Sequence, residues 1–494
     1  MKKFMLTLCF VFISGCSSYV PKNEISEVKT VESIKSNNSE KETNENITFS
    51  NQKWWLTYKD ENLNELIELT LESNSDLKIA TLNIQRASAT IDAAADSAFK
   101  MGLYGGATYY GTSKPHTKSK AIGPQPIGIP EDAFAGETAY VAGAGLKASY
   151  NFNFYDKYGN LAKQQEYIAR GLEFRTKLVE LSLTTNLTKL YGYYLYLETE
   201  KENLDARLKV LNSIKDKVEK TIELGNGVDE DLLSINNKIL ALNKYINLNK
   251  LHRESTIETI NSLSSYEHRE EVDRILKNAK KDKLLEEDFI VPNSVSSDVI
   301  VNRPDVQYYM MMIESQKAKL TAAKSDFYPQ MSIGGDIGYR GVGLDNSFKD
   351  FSSLMWSFGP KVYLPIFNLS GVKTNYKIAG IQVNIFVEDY NKTVNGAIKD
   401  INDKLTSVKI AKINYRDIDQ IYLNNKKQYE NSNFKFKIGS ISEYENLNDQ
   451  YTYLAASLTK NQQNYKVFSE QVDLINSLGG VYKSKDEIKK DSLN

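Results

Sequence analysis

Two carboxylates, Glu445 and Asp449, stand four residues apart in the stretch Ser442-Glu443-Tyr444-Glu445-Asn446-Leu447-Asn448-Asp449. On a helix that interval puts both on one face. Crowded with other carboxylates, they would repel one another, lift some of their pKa values and draw in cations. The same residues also spell a helix start. Ser442 and Glu445 have capping-box spacing, in which the glutamate ties down the first backbone N–H groups instead of serving as a free charge.

Little else in the chain is reactive. The histidines His116, His252 and His268 are far apart and at no metal-ligand interval, and neither a P-loop nor a G-x-S-x-G sequence is present. No nucleophile, base and orienting group come together, so the chain reads as a non-enzyme without a metal site. Met310-Met311-Met312 would suit a soft metal, but three consecutive helical residues point in different directions, and core packing is the simpler role. Gly143-Ala144-Gly145-Leu146-Lys147-Ala148 matches the dinucleotide fingerprint G-x-G-x-x-A. Its glycines fall inside a strand pattern with no helix opening behind them, so the match is rejected.

Cys16 has a different chemistry. A basic Met1-Lys2-Lys3 precedes an apolar run at 4–13 and then Ile13-Ser14-Gly15-Cys16. A run of ten residues, apolar but for Thr7, is too short to span a bilayer but suits a secretory signal. Small residues directly before a cysteine resemble the bacterial lipobox, which implies a signal peptide at 1–15 and covalent lipid (diacylglycerol and an N-acyl chain) on Cys16. The alternative is an ordinary signal peptide with an incidental cysteine. Ser17 and Ser18 stand where a lipoprotein kept in the inner membrane more often has Asp, so the resemblance points to the outer membrane. Residues 16–52 are mostly Ser, Asn, Lys and Glu and read as a flexible tether.

The elements that carry these residues come from a chain written twice. A shift of 229 residues lays Asp305-Val306 on Asp76-Leu77 and Gly334-Gly335 on Gly105-Gly106, and a shift of 214 lays Gly439 and Leu447 on Gly225 and Leu233. Between them, a shift of 212 aligns Gly371 with Gly159, so the first copy has 17 extra residues, placed in a Pro/Gly-rich loop at 112–137. The copies are bounded at 53–290 and 291–482, joined by a polar linker at 277–297 and followed by a charged tail at 483–494.

Each copy repeats one order of elements. A helix leads into strands expected at about 101–112 and 138–153, and at about 330–341 and 353–365. Their apolar residues alternate, as Met331, Ile333, Ile337 and Tyr339 do, and as Leu354, Trp356, Phe358 and Val362 do. Aromatic residues near strand ends suit a lipid-facing stripe. Helical hairpins follow at about 155–265 and 366–478, turning at Gly225, with Asp229 as candidate N-cap of the returning helix, and at Gly439. On the first outgoing arm Leu204, Leu208, Leu211, Val218 and Ile222 keep close to a coiled-coil spacing. Each outgoing arm of about seventy residues would reach on the order of 100 Å. The 62 Lys+Arg balance 63 Asp+Glu, which excludes a basic nucleic-acid footprint.

Arg303-Pro304-Asp305, Phe327-Tyr328-Pro329, Gly359-Pro360, Pro365-Ile366-Phe367, Gly371 and Leu478-Gly479-Gly480, in this order and with the duplication, resemble the TolC-like outer-membrane factor family and its lipoprotein branch. The resemblance implies an α+β membrane protein: a homotrimer in which each chain gives four strands to a twelve-stranded outer-membrane β-barrel and its hairpins to a periplasmic α-barrel. It implies passive export of substrates delivered by an inner-membrane transporter through a periplasmic adaptor. Export by a type I protein secretion system or of metal cations is the alternative within that family, and a lipid-anchored coiled-coil rod is the alternative outside it. The resemblance also places Glu445 at a pore-facing gate, to which helical spacing adds Asp449, although the family's second acid is Asn448 here and its basic latch residue corresponds to Ile441. Physical reasoning agrees on assembly, because four strands cannot close a barrel and open edges cannot face lipid.

Overall fold

The computed structural model describes residues 20–29, 53–111, 138–279, 297–342, 354–364 and 369–480. Cys16, the loop at 112–137, most of the linker, Pro365-Ile366-Phe367 and the tail lie outside them. The chain divides into two units: one comprises residues 86–169, 312–386 and the N-terminal segment to Ser26, the other residues 27–85, 170–311 and 387–494. Each unit takes pieces of both sequence copies.

The first unit holds one antiparallel sheet in the order β1 (Phe99–Gly111), β2 (Thr138–Asn151), β3 (Gln330–Val342), β4 (Leu354–Tyr363). The middle pairing, β2 with β3, joins the two copies. Strand β1 opens two residues ahead of expectation, because a short 3-10 turn at Asp96–Ala98 already delivers Phe99 opposite Tyr150. Strand β4 closes early because its last partner, Gln330, is the first residue of β3. Period-two patterning sets the register: Leu103, Leu146, Ile337 and Trp356 form one cross-strand row, and Gly102, Lys147, Asp336 and Ser357 the next.

The helices are α1 (Glu61–Ser73), α2 (Ser75–Ala95), α3 (Lys157–Glu223), α4 (Asp229–Leu263), α5 (Arg269–Asn278), α6 (Ser297–Val301), α7 (Pro304–Lys324), α8 (Leu369–Lys437) and α9 (Glu443–Ser477). Helix α1 starts where Asp60 accepts a hydrogen bond from the Leu63 N–H at 3.0 Å, and it buries Leu63, Leu66 and Ile67. Pro304 opens α7, where a missing N–H costs nothing. The outgoing helices α3 and α8 have 67 and 69 residues, and both end in the same way. Gly225 and Gly439 adopt φ of 79° and 73°. In each case the residue after the glycine donates back five positions, Asn226 to Thr221 and Ser440 to Lys435, in a Schellman closure.

Within the second unit, Leu204, Leu211, Val218, Ile235 and Leu242 are buried together, with Leu447, Tyr451, Leu454 and Leu458 of α9 packed against them. The coiled-coil spacing of α3 therefore marks a real seam, shared by three helices. Trp54, Trp55 and Tyr58 are buried in a 3-10 turn, and the Tyr58 ring lies 5.5 Å from Phe468. Gly192 makes room for that phenylalanine, since a Cβ there would stand 2.3 Å from the ring.

Candidate functional site

Alternation puts Met101, Leu103, Leu146, Ile333, Ile337, Trp356 and Phe358 on one face of the sheet, and that face is largely bare. Leu103 is 86% exposed, Trp356 75% and Phe358 72%. The opposite face carries Lys147 beside Asp336, whose carboxylate accepts hydrogen bonds from the hydroxyls of Tyr104 and Ser357. A sheet in water buries its apolar face; this one pairs Asp336 with two hydroxyls on its polar side and keeps its greasy side outward, as a membrane strand does. Gly145 and Gly338 permit the polar arrangement. They pair across β2 and β3, and a Cβ on either would stand within 3 Å of the Tyr104 hydroxyl and of neighbouring backbone. The glycines of the rejected fingerprint thus include one that lets an aromatic ring lie over the sheet. Among the described residues, β1 and β4 each have one edge without a partner strand.

The residues at the end of the second hairpin do come together. Glu445, Asn448 and Asp449 line an open groove of about 670 Å³ with Lys427 and Lys435 of α8. Glu445 is exposed but not free: its Oε2 accepts from the Ser442 N–H at 2.9 Å and the Ser442 hydroxyl at 3.1 Å, while Ser442 Oγ accepts from the Glu445 N–H at 3.2 Å. The capping box is therefore formed. Asp449 accepts from Gln428 Nε2 at 2.7 Å, and Asn448 donates to the Tyr444 carbonyl at 2.9 Å. Helix α4 departs from expectation: Val228, not Asp229, is its N-cap, and Asp229, Glu230 and Asp231 fill the first turn. There the acids meet the positive end of the helix dipole without capping it.

Several contacts here had no signal in the sequence. Lys217 of α3 pairs with Glu443 at 2.5 Å, and Arg207 donates to the Tyr451 hydroxyl at 2.7 Å, so two bonds tie α3 to the start of α9. Lys427 and Lys435 could have been suspected by counting back from the Gly439 turn. Lys217 and Arg207 lie too far away in sequence for any local pattern to reveal them.

Farther along α9, Asp473 accepts from Lys189 at 2.8 Å and Lys404 at 2.9 Å. Burial pushes the Asp473 carboxyl up, but these two ammonium groups outweigh it and hold its pKa below the ordinary value. His252 lies 3.4 Å from the Tyr193 hydroxyl and His268 pairs with Glu271, while His116 lies outside the described residues. Met312 is buried, in keeping with a packing role. Among the described residues, no three His, Cys, Asp or Glu side chains could hold a metal, and no helix is long and apolar enough to cross a membrane.

Known proteins share this arrangement. Residues 295–480 match the family model described as outer membrane efflux protein. Toxin and drug export protein A of Aggregatibacter actinomycetemcomitans is 22% identical over 87% of this chain and 89% of its own length. The probable outer membrane lipoprotein SilC of Salmonella typhimurium is 23% identical over 96% of this chain and 98% of its own. The crystal structure of the Campylobacter jejuni CmeC outer membrane channel superposes with a TM-score of 0.74 at 22% identity, over 96% of this chain and 97% of that one. The second copy thus resembles the outer membrane efflux proteins, and the fold of a solved outer membrane channel runs across nearly the whole length of the chain.

Proposed function

We propose that the chain is the outer-membrane exit duct of a tripartite efflux system, passively conducting substrates handed over by an inner-membrane pump and a periplasmic adaptor. The observation that carries this reading is the inverted sheet, with Trp356, Phe358 and Leu103 outward and Lys147, Asp336 and Ser357 on the other face. Its two unpaired edges require other strands before lipid can surround it. Three copies would supply twelve strands, and the hairpins α3–α4 and α8–α9 would extend the same conduit into the periplasm. The ends at Gly225 and Gly439 would then form the periplasmic tip. In this reading the chain conducts and does not catalyse, and substrate choice belongs to the pump. The name of the Salmonella relative, an outer membrane lipoprotein, supports the expected lipid on Cys16.

Purified protein reconstituted into planar lipid bilayers tests the reading. Stepwise conductance from a trimer is expected. A trimer that inserts and carries no current, or a chain that stays monomeric on the membrane surface, would favour the anchored rod.

A further inference from the structure

Residues 23–29 lie against α8, held by asparagine side chains. Asn384 accepts from the Ser26 N–H at 2.9 Å and donates to the Glu24 carbonyl at 2.8 Å. One period on, Asn391 accepts from the Lys29 N–H at 3.0 Å and donates to the Glu27 carbonyl at 3.1 Å. Each carboxamide thus closes a two-point ring with the peptide backbone, the pattern a neighbouring β-strand would offer. The repeat is three residues in the segment and seven in the helix. Seven helical residues rise about 10.5 Å, so each segment residue covers about 3.5 Å, the reach of a fully extended chain. The two periods match, and one clamp follows the other without strain.

A second observation is independent of the clamps. Gly380 sits inside α8, where glycine weakens a helix and needs a reason. A Cβ there would stand 2.5 Å from Asn23, whose amide donates to the Tyr376 carbonyl at 3.3 Å. The helix is notched to let the segment approach.

The geometry points to a backbone-reading peptide clamp, Asn384 and Asn391, whose ligand is the chain's own segment behind Cys16 and whose effect is to fix where the lipid anchor lies. The segment runs parallel to α8, from Asn23 at Tyr376 to Lys29 at Asn391. Carried back at the same pace, Val20 falls level with about residue 370, the start of α8 just after β4. Cys16 is four residues farther and so within about 14 Å of Val20. The stretch that composition marks as a loose tether is, at 23–29, a leash of set length and direction. The placement of the lipid rests on the proposed anchoring of Cys16; the clamp does not.

Limited trypsin digestion of the detergent-purified full-length protein tests it, read by intact mass at the cuts after Lys22 and Lys29. Cleavage of the Asn384→Ala/Asn391→Ala double variant is expected to be about tenfold faster or more than wild type, since it loses four hydrogen bonds and proteolysis tracks the open population. Ser26→Pro, which deletes one N–H donor without touching the helix, should speed cleavage in the same direction. Glu24→Ala/Ile25→Ala/Glu27→Ala, which alters side chains and spares the backbone, should cut at the wild-type rate. Wild-type cleavage of both clamp variants, or equal exposure in the side-chain variant, overturns the clamp. Missing acyl mass on a chain that is still protected would instead count against lipidation alone.

Discussion

The Arg303 guanidinium donates to the carbonyl of Ser477, 174 residues away and at the last turn of α9. The same side chain grips Asp305 with two bonds, Nε to Oδ1 at 3.0 Å and Nη2 to Oδ2 at 2.8 Å, with Asp400 at 3.7 Å. Gly479, at φ 76°, packs against it, and a Cβ there would stand 3.2 Å from Pro304. The Arg-Pro-Asp and Leu-Gly-Gly motifs, far apart in sequence, are the two halves of one clasp.

That clasp should be sensitive to the shape of the cation. Arg303→Lys keeps the charge but cannot reproduce the fork, leaving the Asp305 pair and the Ser477 carbonyl under-served. We expect a loss of about 2–3 kcal/mol, and more for Arg303→Ala, because the side chain is only 11% exposed. Thermal dissociation of the assembled protein, followed by gel mobility, reads it. Equal stability of Arg303→Lys and wild type would show that charge alone matters.

Asp473 gives a pH signature. Its folded-state pKa is depressed below 3.8 by Lys189 and Lys404, so the stabilisation is present above the unfolded value and lost as pH falls through the folded one. Asp473→Asn should therefore be less stable than wild type at pH 7, by about 1–3 kcal/mol. The gap should close as the pH drops below about 4. A gap that persists unchanged into strong acid would mean that packing, and not charge, sets the difference.

Glycines in the sheet should separate by position. Gly145→Ala sets a Cβ 2.5 Å from the Ile337 carbonyl and 2.8 Å from the Tyr104 hydroxyl, whereas Gly102 has nothing within 4 Å. Overpacking of this kind costs about 1–3 kcal/mol, so Gly145→Ala should sharply lower the yield of heat-resistant assembly and Gly102→Ala should not. Comparable yields of the two would mean that the strands separate easily at this point.

The sheet and the hairpins were legible because they rest on local periodicity. The alternation from Met331 to Tyr339 named the apolar face, and Gly225 and Gly439 named the turns before any contact was known. What stayed hidden depends on pairs brought together by the fold. Nothing near Arg303 points to Ser477, nothing near Lys217 points to Glu443, and nothing in a Ser/Asn/Lys/Glu stretch says that asparagines more than 350 residues away hold its backbone. Asp229 misled for a local reason: an acidic first turn looks much the same whether its first acid caps the helix or merely sits at the positive end of the dipole.

Cys16→Ala should leave the precursor uncut by the lipoprotein peptidase and without acyl mass. Normal maturation of that variant would remove the anchor from the proposed function. The strands insert by their own apolar face, so conductance of the assembled protein is expected to survive the change.

The acidic pair at the hairpin end is the remaining question, and the capping box makes it answerable. Glu445 has two jobs that mutation can separate. Glu445→Gln removes the charge, yet glutamine at the third position still serves a capping box, so the helix start should hold. Ser442→Ala keeps the charge and breaks the box, at a cost of about 1 kcal/mol. If three copies converge at the tip as proposed, Glu445 and Asp449 form an acidic ring that draws multivalent cations into the constriction. Lys427 and Lys435, in the same groove, offset part of that charge, so the ring should be weak and strongly screened by salt. Single-channel recordings with added multivalent cation should therefore show weaker block in Glu445→Gln at low salt, with assembly stability unchanged. Ser442→Ala should show the reverse: normal block and a lower melting point. Should Glu445→Gln destabilise the assembly while block stays as in wild type, the glutamate is a cap and nothing more.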